Sequence, residues 1–91
     1  MATFLIERTV PGASQLTAAQ LRDISCNSNK VVDGLGVAYT WKHSYVAGDK
    51  IYCVHETDDV ETVLEHGRRG GFPVDMANPI VAVFGPETAD S

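Results

Sequence analysis

The apolar positions of this chain switch between the two-residue period of strands and the three-to-four-residue period of helices. Thr3 to Thr9 is short, apolar and partly β-branched, and Pro11-Gly12 follows it, which predicts a first strand closed by a turn. The period then lengthens. Thr17 is a good N-cap with Gln20 at the capping-box position, and Leu16 and Leu21 are spaced to form a hydrophobic staple. Leu21, Ile24, Ser28, Val31, Val32 and Leu35 recur at helical intervals, broken only by the polar Ser28, until Gly34 or Gly36 offers a left-handed stop.

Val37 to Val46 returns to period two, with Val37, Tyr39, Trp41, His43 and Tyr45 on one side and Ala38, Thr40, Lys42, Ser44 and Val46 on the other. Ala47-Gly48-Asp49 turns the chain into Lys50-Ile51-Tyr52-Cys53-Val54-His55-Glu56, so these two strands form a hairpin. Asp58 is placed to cap a second helix, with Val60, Val63, Leu64 and Gly67 on its buried stripe. Arg68 and Arg69 suit the dipole of its last turn, and Gly70-Gly71 ends it. Pro79 to Phe84 supplies a fourth strand. The order βαββαβ is the α+β, ferredoxin-like pattern: a four-stranded antiparallel sheet with two helices on one face.

The other face is left bare. With a two-residue hairpin loop, Tyr39, Trp41, His43, Tyr45, Tyr52, Val54 and Glu56 share that face, while Thr40, Lys42, Ser44, Ile51, Cys53 and His55 lie opposite. A three-residue loop instead brings Cys53 and His55 beside His43. Four aromatics and a valine make a large apolar patch for a monomer, so a second copy is expected to pack sheet against sheet, as a homodimer of the dimeric α/β-barrel type. A cavity between such sheets has His43 and Glu56 as its polar members.

Composition narrows the function. Ninety-one residues make one domain, 1–91, whose end, 85–91, reads as loosely ordered. A formal charge of −5 repels phosphate backbones, and no apolar run reaches the roughly 20 residues that span a bilayer, so neither nucleic acid nor membrane is an expected partner. Two cysteines, Cys26 and Cys53, with no CxxC spacing and no leader-like start, predict a reducing, cytoplasmic setting. Cys26 falls with Arg22, Asn29 and Asp33 on the outer face of the first helix. GxxxxGK[ST], GxSxG and GxGxxG are all missing, so no organic cofactor is expected.

The three histidines have no HxxxH or HExxH spacing. His43, mid-strand, can meet Glu7 or Glu56 across the sheet as a metal ligand, serve as a general acid/base with Glu56 beside it, or bond a tyrosine hydroxyl in a dimer seam. Cys53 and His55 share one side of their strand at i, i+2, a chelating spacing, although that side faces helices and suits a small buried thiol. Glu65 and His66 are adjacent on a helix and point about 100° apart. Glu61 and Glu65 share a face with Arg68, as in a charge-paired helix surface, and His66 can either ligate or tether the Gly70-Gly71-Phe72-Pro73 loop.

Thr40-Trp41-Lys42-His43-Ser44-Tyr45-Val46, Lys50-Ile51-Tyr52-Cys53-Val54, Glu65-His66-Gly67-Arg68-Arg69-Gly70-Gly71-Phe72-Pro73 and the opening Ile6-Glu7-Arg8 with Pro11-Gly12 together resemble a family of small bacterial nickel-binding proteins over residues 3 to 88. The resemblance implies a ferredoxin-like subunit, a homodimer and nickel(II) bound at exposed sites, with sequestration or detoxification as the role. It implies no reaction. The positions that carry metal chemistry across are Glu7, His43, Cys53, Glu65 and His66. Two positions depart from the pattern: Lys42 stands where an aliphatic residue is expected, and His55 stands where an aromatic is, which adds a donor.

Overall fold

A computed structural model describes residues 1–90, in the order β1 (Ala2–Thr9), α1 (Ala18–Gly34), β2 (Tyr39–Ala47), β3 (Lys50–Thr57), α2 (Val60–Gly70) and β4 (Met76–Pro79). The strands form one antiparallel sheet in the order β2-β3-β1-β4, which is the ferredoxin-like arrangement. Short 3-10 turns cover Ala13–Gln15 and Pro86–Asp90. The latter occupies the tail expected to be loose, and Ser91 lies outside the described residues. Among the described residues no helix is long and apolar enough to cross a membrane.

Local chemistry sets the boundaries. Thr17 Oγ1 accepts from the Gln20 backbone N–H and Gln20 Oε1 accepts from that of Thr17, so the expected capping box is formed. The cap of α2 is Asp59, not Asp58: its carboxylate accepts from the Thr62 N–H at 2.9 Å, which sets Val60 as the first helical residue. Gly71, at φ 70°, closes α2 where another residue would be strained. The buried side of α2 is centred on Val63, His66 and Gly67, which leaves Leu64 at the flank and exposed rather than on the buried stripe.

The hairpin loop has two residues, Gly48-Asp49, because Ala47 pairs with Lys50. From there to His43 the facing is as expected. Trp41 and His43, however, pair with the consecutive residues His55 and Val54, so Lys42 is an extra residue, a β-bulge. The bulge reverses everything before it. Tyr39 and Trp41 therefore turn under the helices instead of joining His43 and Tyr45, and Thr40 turns outward. Both half-buried rings find partners for their polar tips: Trp41 Nε1 donates to Ser44 Oγ at 2.9 Å, and the Tyr39 hydroxyl shares a hydrogen bond with His55 Nδ1.

The fourth strand also lies earlier than Pro79 to Phe84. Asp75 N–H bonds the Glu7 carbonyl, Met76 to Pro79 pair with Glu7 to Phe4, and Ile80 N–H reaches the Thr3 carbonyl. There β1 ends, and residues 81–84 have strand composition but no edge left to pair with. Val81, Val83 and Phe84 are consequently exposed.

The core lies between the sheet and α2. Phe4, Ile6, Ile51 and Cys53 pack with Val63 and Ala13, and fully buried side chains such as Ile6 and Val63 contribute about 1.5–3 kcal/mol each. Helix α1 packs chiefly on α2. It is tied there by Asn27 Nδ2 donating to the Gly70 carbonyl and Arg69 donating to the Gly34 carbonyl, both at 3.0 Å. Between α1 and the inner face of β2 and β3 a cleft remains.

Candidate functional site

The sheet separates the titratable residues into two groups. On the inner face, strand alternation from Phe4 and Ile6 carries Arg8 inward, and β3 presents Cys53, His55 and Thr57 beside it. Helix α2 lowers His66 onto them. The His66 ring is sandwiched between Tyr39 and Phe72, each 5.4 Å away and within 21° of parallel, and the edge of His55 meets it at 5.0 Å. The polar Ser28 that interrupts the stripe of α1 now has a reason: its Oγ shares a 3.0 Å hydrogen bond with His66 Nε2. His66 Nδ1 is buried with no partner.

Both imidazoles are only 1% exposed, and that burial, more than any neighbour, pushes the pKa of His55 down to about 3 and that of His66 down to about 4. The Arg8 charge acts in the same direction on each, and on His55 so does its neighbour His66. Burial likewise raises the Tyr39 hydroxyl. Near neutral pH the pair is therefore uncharged, and one nitrogen of each ring is held by Tyr39 or Ser28.

The outer face is open. Leu5, Tyr52, Val54, Tyr45 and His43 form its middle, with Glu7, Glu56 and Thr3 around them in register. His43 is exposed and meets Tyr45 edge to face at 5.2 Å. It lines a shallow groove with Thr3, Lys42, Val54 and residues 80–83. Glu7 pairs with Lys50 at 3.1 Å, and Glu56 lies 3.9 Å from Lys42. With Tyr39 and Trp41 turned to the other side of the sheet, no enclosed aromatic cavity surrounds His43 among the described residues.

The structure thus brings His55 and His66 together, with Cys53 next along the strand, but in the core. Glu7 and His43 share the outer face with Glu56. Glu65 stands apart on α2, where it pairs with Arg68 and, at 2.6 Å, with Arg69. Cys26 is exposed on α1 and Cys53 is buried. Among the described residues, no three His, Cys, Asp or Glu side chains converge to hold an ion. Sequence reasoning passed over Arg8 as a site residue, although its place two residues beyond Ile6 in an inward-facing alternation was the signal for it. It also passed over Phe72, whose approach to His66 depends on a loop conformation that spacing does not reveal.

Comparison with known proteins supports the same fold. The structure superposes on the crystal structure of SCO4226 from Streptomyces coelicolor A3(2) with a TM-score of 0.75, covering 91% of this chain and all of that one at 20% identity. No curated protein matches significantly. Residues 4–80 match the family model described as nickel responsive protein, SCO4226-like. That span takes in most of β1, the other three strands, both helices and all three histidines, and by it the chain belongs to the SCO4226-like family of nickel-responsive proteins.

Proposed function

We propose that this protein is a non-enzymatic binder of nickel(II) or a similar divalent ion, with His43 as its principal ligand and Glu7 and Glu56 as nearby carboxylates, in a homodimer that closes the outer sheet face. The observation that carries this reading is the partition of the histidines: His43 alone is exposed, whereas His55 and His66 are locked in the core. Nickel(II) accepts imidazole nitrogen and carboxylate oxygen with water completing the shell. Both carboxylates are held only by lysine ammoniums or a hydroxyl, partners that a divalent ion at the surface can replace.

One chain supplies too few converging donors, so the site draws on water or on a second copy. The exposed segment 81–84 and the ring-bearing outer face favour that copy, because Val81, Val83 and Phe84 are more than four-fifths exposed in the single chain. Sequestration of nickel follows as a role if the ion is held by both subunits.

Calorimetric titration of untagged protein tests the proposal. Nickel is expected to bind saturably to a particle of twice the chain mass. His43→Ala is expected to weaken binding by about tenfold or more, ~1.4 kcal/mol, while His66→Gln leaves it unchanged. Absence of heat at millimolar nickel, or full binding by His43→Ala, overturns it.

A further inference from the structure

The cleft under α1 plays no part in the proposal above, yet it is built like a ligand site. It encloses about 500 Å3 between Leu21 and Ile24 of α1, Trp41 and Val46 of β2, and Phe72 of the loop after α2, within the range of small-molecule pockets. Its walls are mostly apolar, and it lies on the opposite face of the sheet from His43.

Arg8 also lines this cleft, and it is only 4% exposed. A cation at that depth is costly unless an anion meets it. Arg8 Nε donates to Cys53 Sγ at 3.4 Å, one terminal nitrogen donates to the Pro73 carbonyl at 2.9 Å, and the guanidinium lies 5.5 Å from the centre of the Phe72 ring. None of these partners is an anion. Among the described residues, no carboxylate stands within ion-pair distance of it. Five N–H donors and two hydrogen bonds leave the planar fork with donors to spare, a geometry matched to a carboxylate. Beside it, His66 Nδ1 is a buried polar atom without a partner, on another side chain that lines the cleft.

From the unpaired Arg8 and the apolar walls together, we infer that the cleft binds a small organic acid, its carboxylate on Arg8 and its hydrocarbon or aromatic body between α1 and Trp41. A bare inorganic anion leaves those walls unfilled, and a neutral apolar molecule leaves Arg8 uncompensated.

Trp41 is the chain's one tryptophan, so its fluorescence reports on the cleft directly. With a chelator present to remove metal, octanoate is expected to change that fluorescence saturably, with an affinity about tenfold or more above that of 1-octanol. Arg8→Met, which keeps the apolar stem and removes the charge, is expected to bring octanoate down to the level of the alcohol. Octanoate that gives no saturable change at millimolar concentration, or that binds no better than octanol to the wild-type protein, overturns the inference even if the variant does not fold. Because metal is excluded, neither outcome bears on nickel binding.

Discussion

Acidification from pH 7 to 4.5 is expected to remove on the order of 3–5 kcal/mol of stability, read as a falling urea midpoint. The sign follows from His55 and His66. In the unfolded chain each imidazole titrates near its ordinary 6.5, but in the fold burial holds them at about 3 and about 4. Above 6.5 neither state carries the protons and stability is level. Below it the unfolded chain takes up two protons that the folded chain refuses, so stability falls by about 1.4 kcal/mol per proton per pH unit until the folded values are reached. For a small domain with roughly 5 kcal/mol in hand, that places acid unfolding at about pH 4.5. The interval from 6.5 to 5 isolates the histidines from most carboxylates. There His55→Gln and His66→Gln should each halve the slope, and a urea midpoint that is flat across that interval contradicts the burial of the pair.

The second large effect is expected from the two glycines of α2 that face the Phe72 loop. A Cβ on Gly67 meets Val74 Cγ2 at 2.9 Å and the Phe72 carbonyl oxygen at 3.1 Å, and one on Gly70 meets the Phe72 ring at 2.3 to 2.5 Å. Alanine ordinarily gains about 1 kcal/mol over glycine inside a helix. Here the gain is opposed by overpacking of about 1–3 kcal/mol. The Phe72 carbonyl has little room to yield, because its own residue's N–H is bonded to the Gly67 carbonyl at 2.8 Å. At Gly70 the displaced ring is the one stacked on His66. Gly67→Ala and Gly70→Ala should therefore each destabilise the domain by the difference, up to about 2 kcal/mol. Gly70→Ala should also raise the His66 pKa as its cover is lost, which a histidine NMR titration detects. A gain in stability from Gly70→Ala contradicts the packing described.

Much of this was legible from the chain. The short apolar run Thr3–Thr9 before Pro11-Gly12, the Thr17/Gln20 box and the Ala47-Gly48-Asp49 turn identify β1, α1 and the hairpin because each rests on local chemistry that tertiary contacts left intact. The bulge at Lys42 was not legible. It inserts one residue without a glycine or proline to mark it, and period-two reasoning then carries the face of His43 wrongly back to Trp41 and Tyr39. The position of β4 depended on where β1 runs out of backbone to pair, which is a property of two distant segments. His43 could be placed on the outer face because no irregularity separates it from the turn. Burial of His55 and His66 as one neutral pair required knowing that Tyr39 had turned inward to meet them and that Ser28 reached across from α1.

The proposed metal binding lies outside the core, at the exposed histidine of the open sheet face. Anomalous diffraction at the nickel absorption edge, from crystals of the untagged protein grown with nickel, tests this most directly. The expected result is a peak within bonding distance of an imidazole nitrogen of His43, near Glu7 or Glu56 of the same or a second copy. A peak between His55 and His66, or one at Glu65 with none at His43, contradicts it.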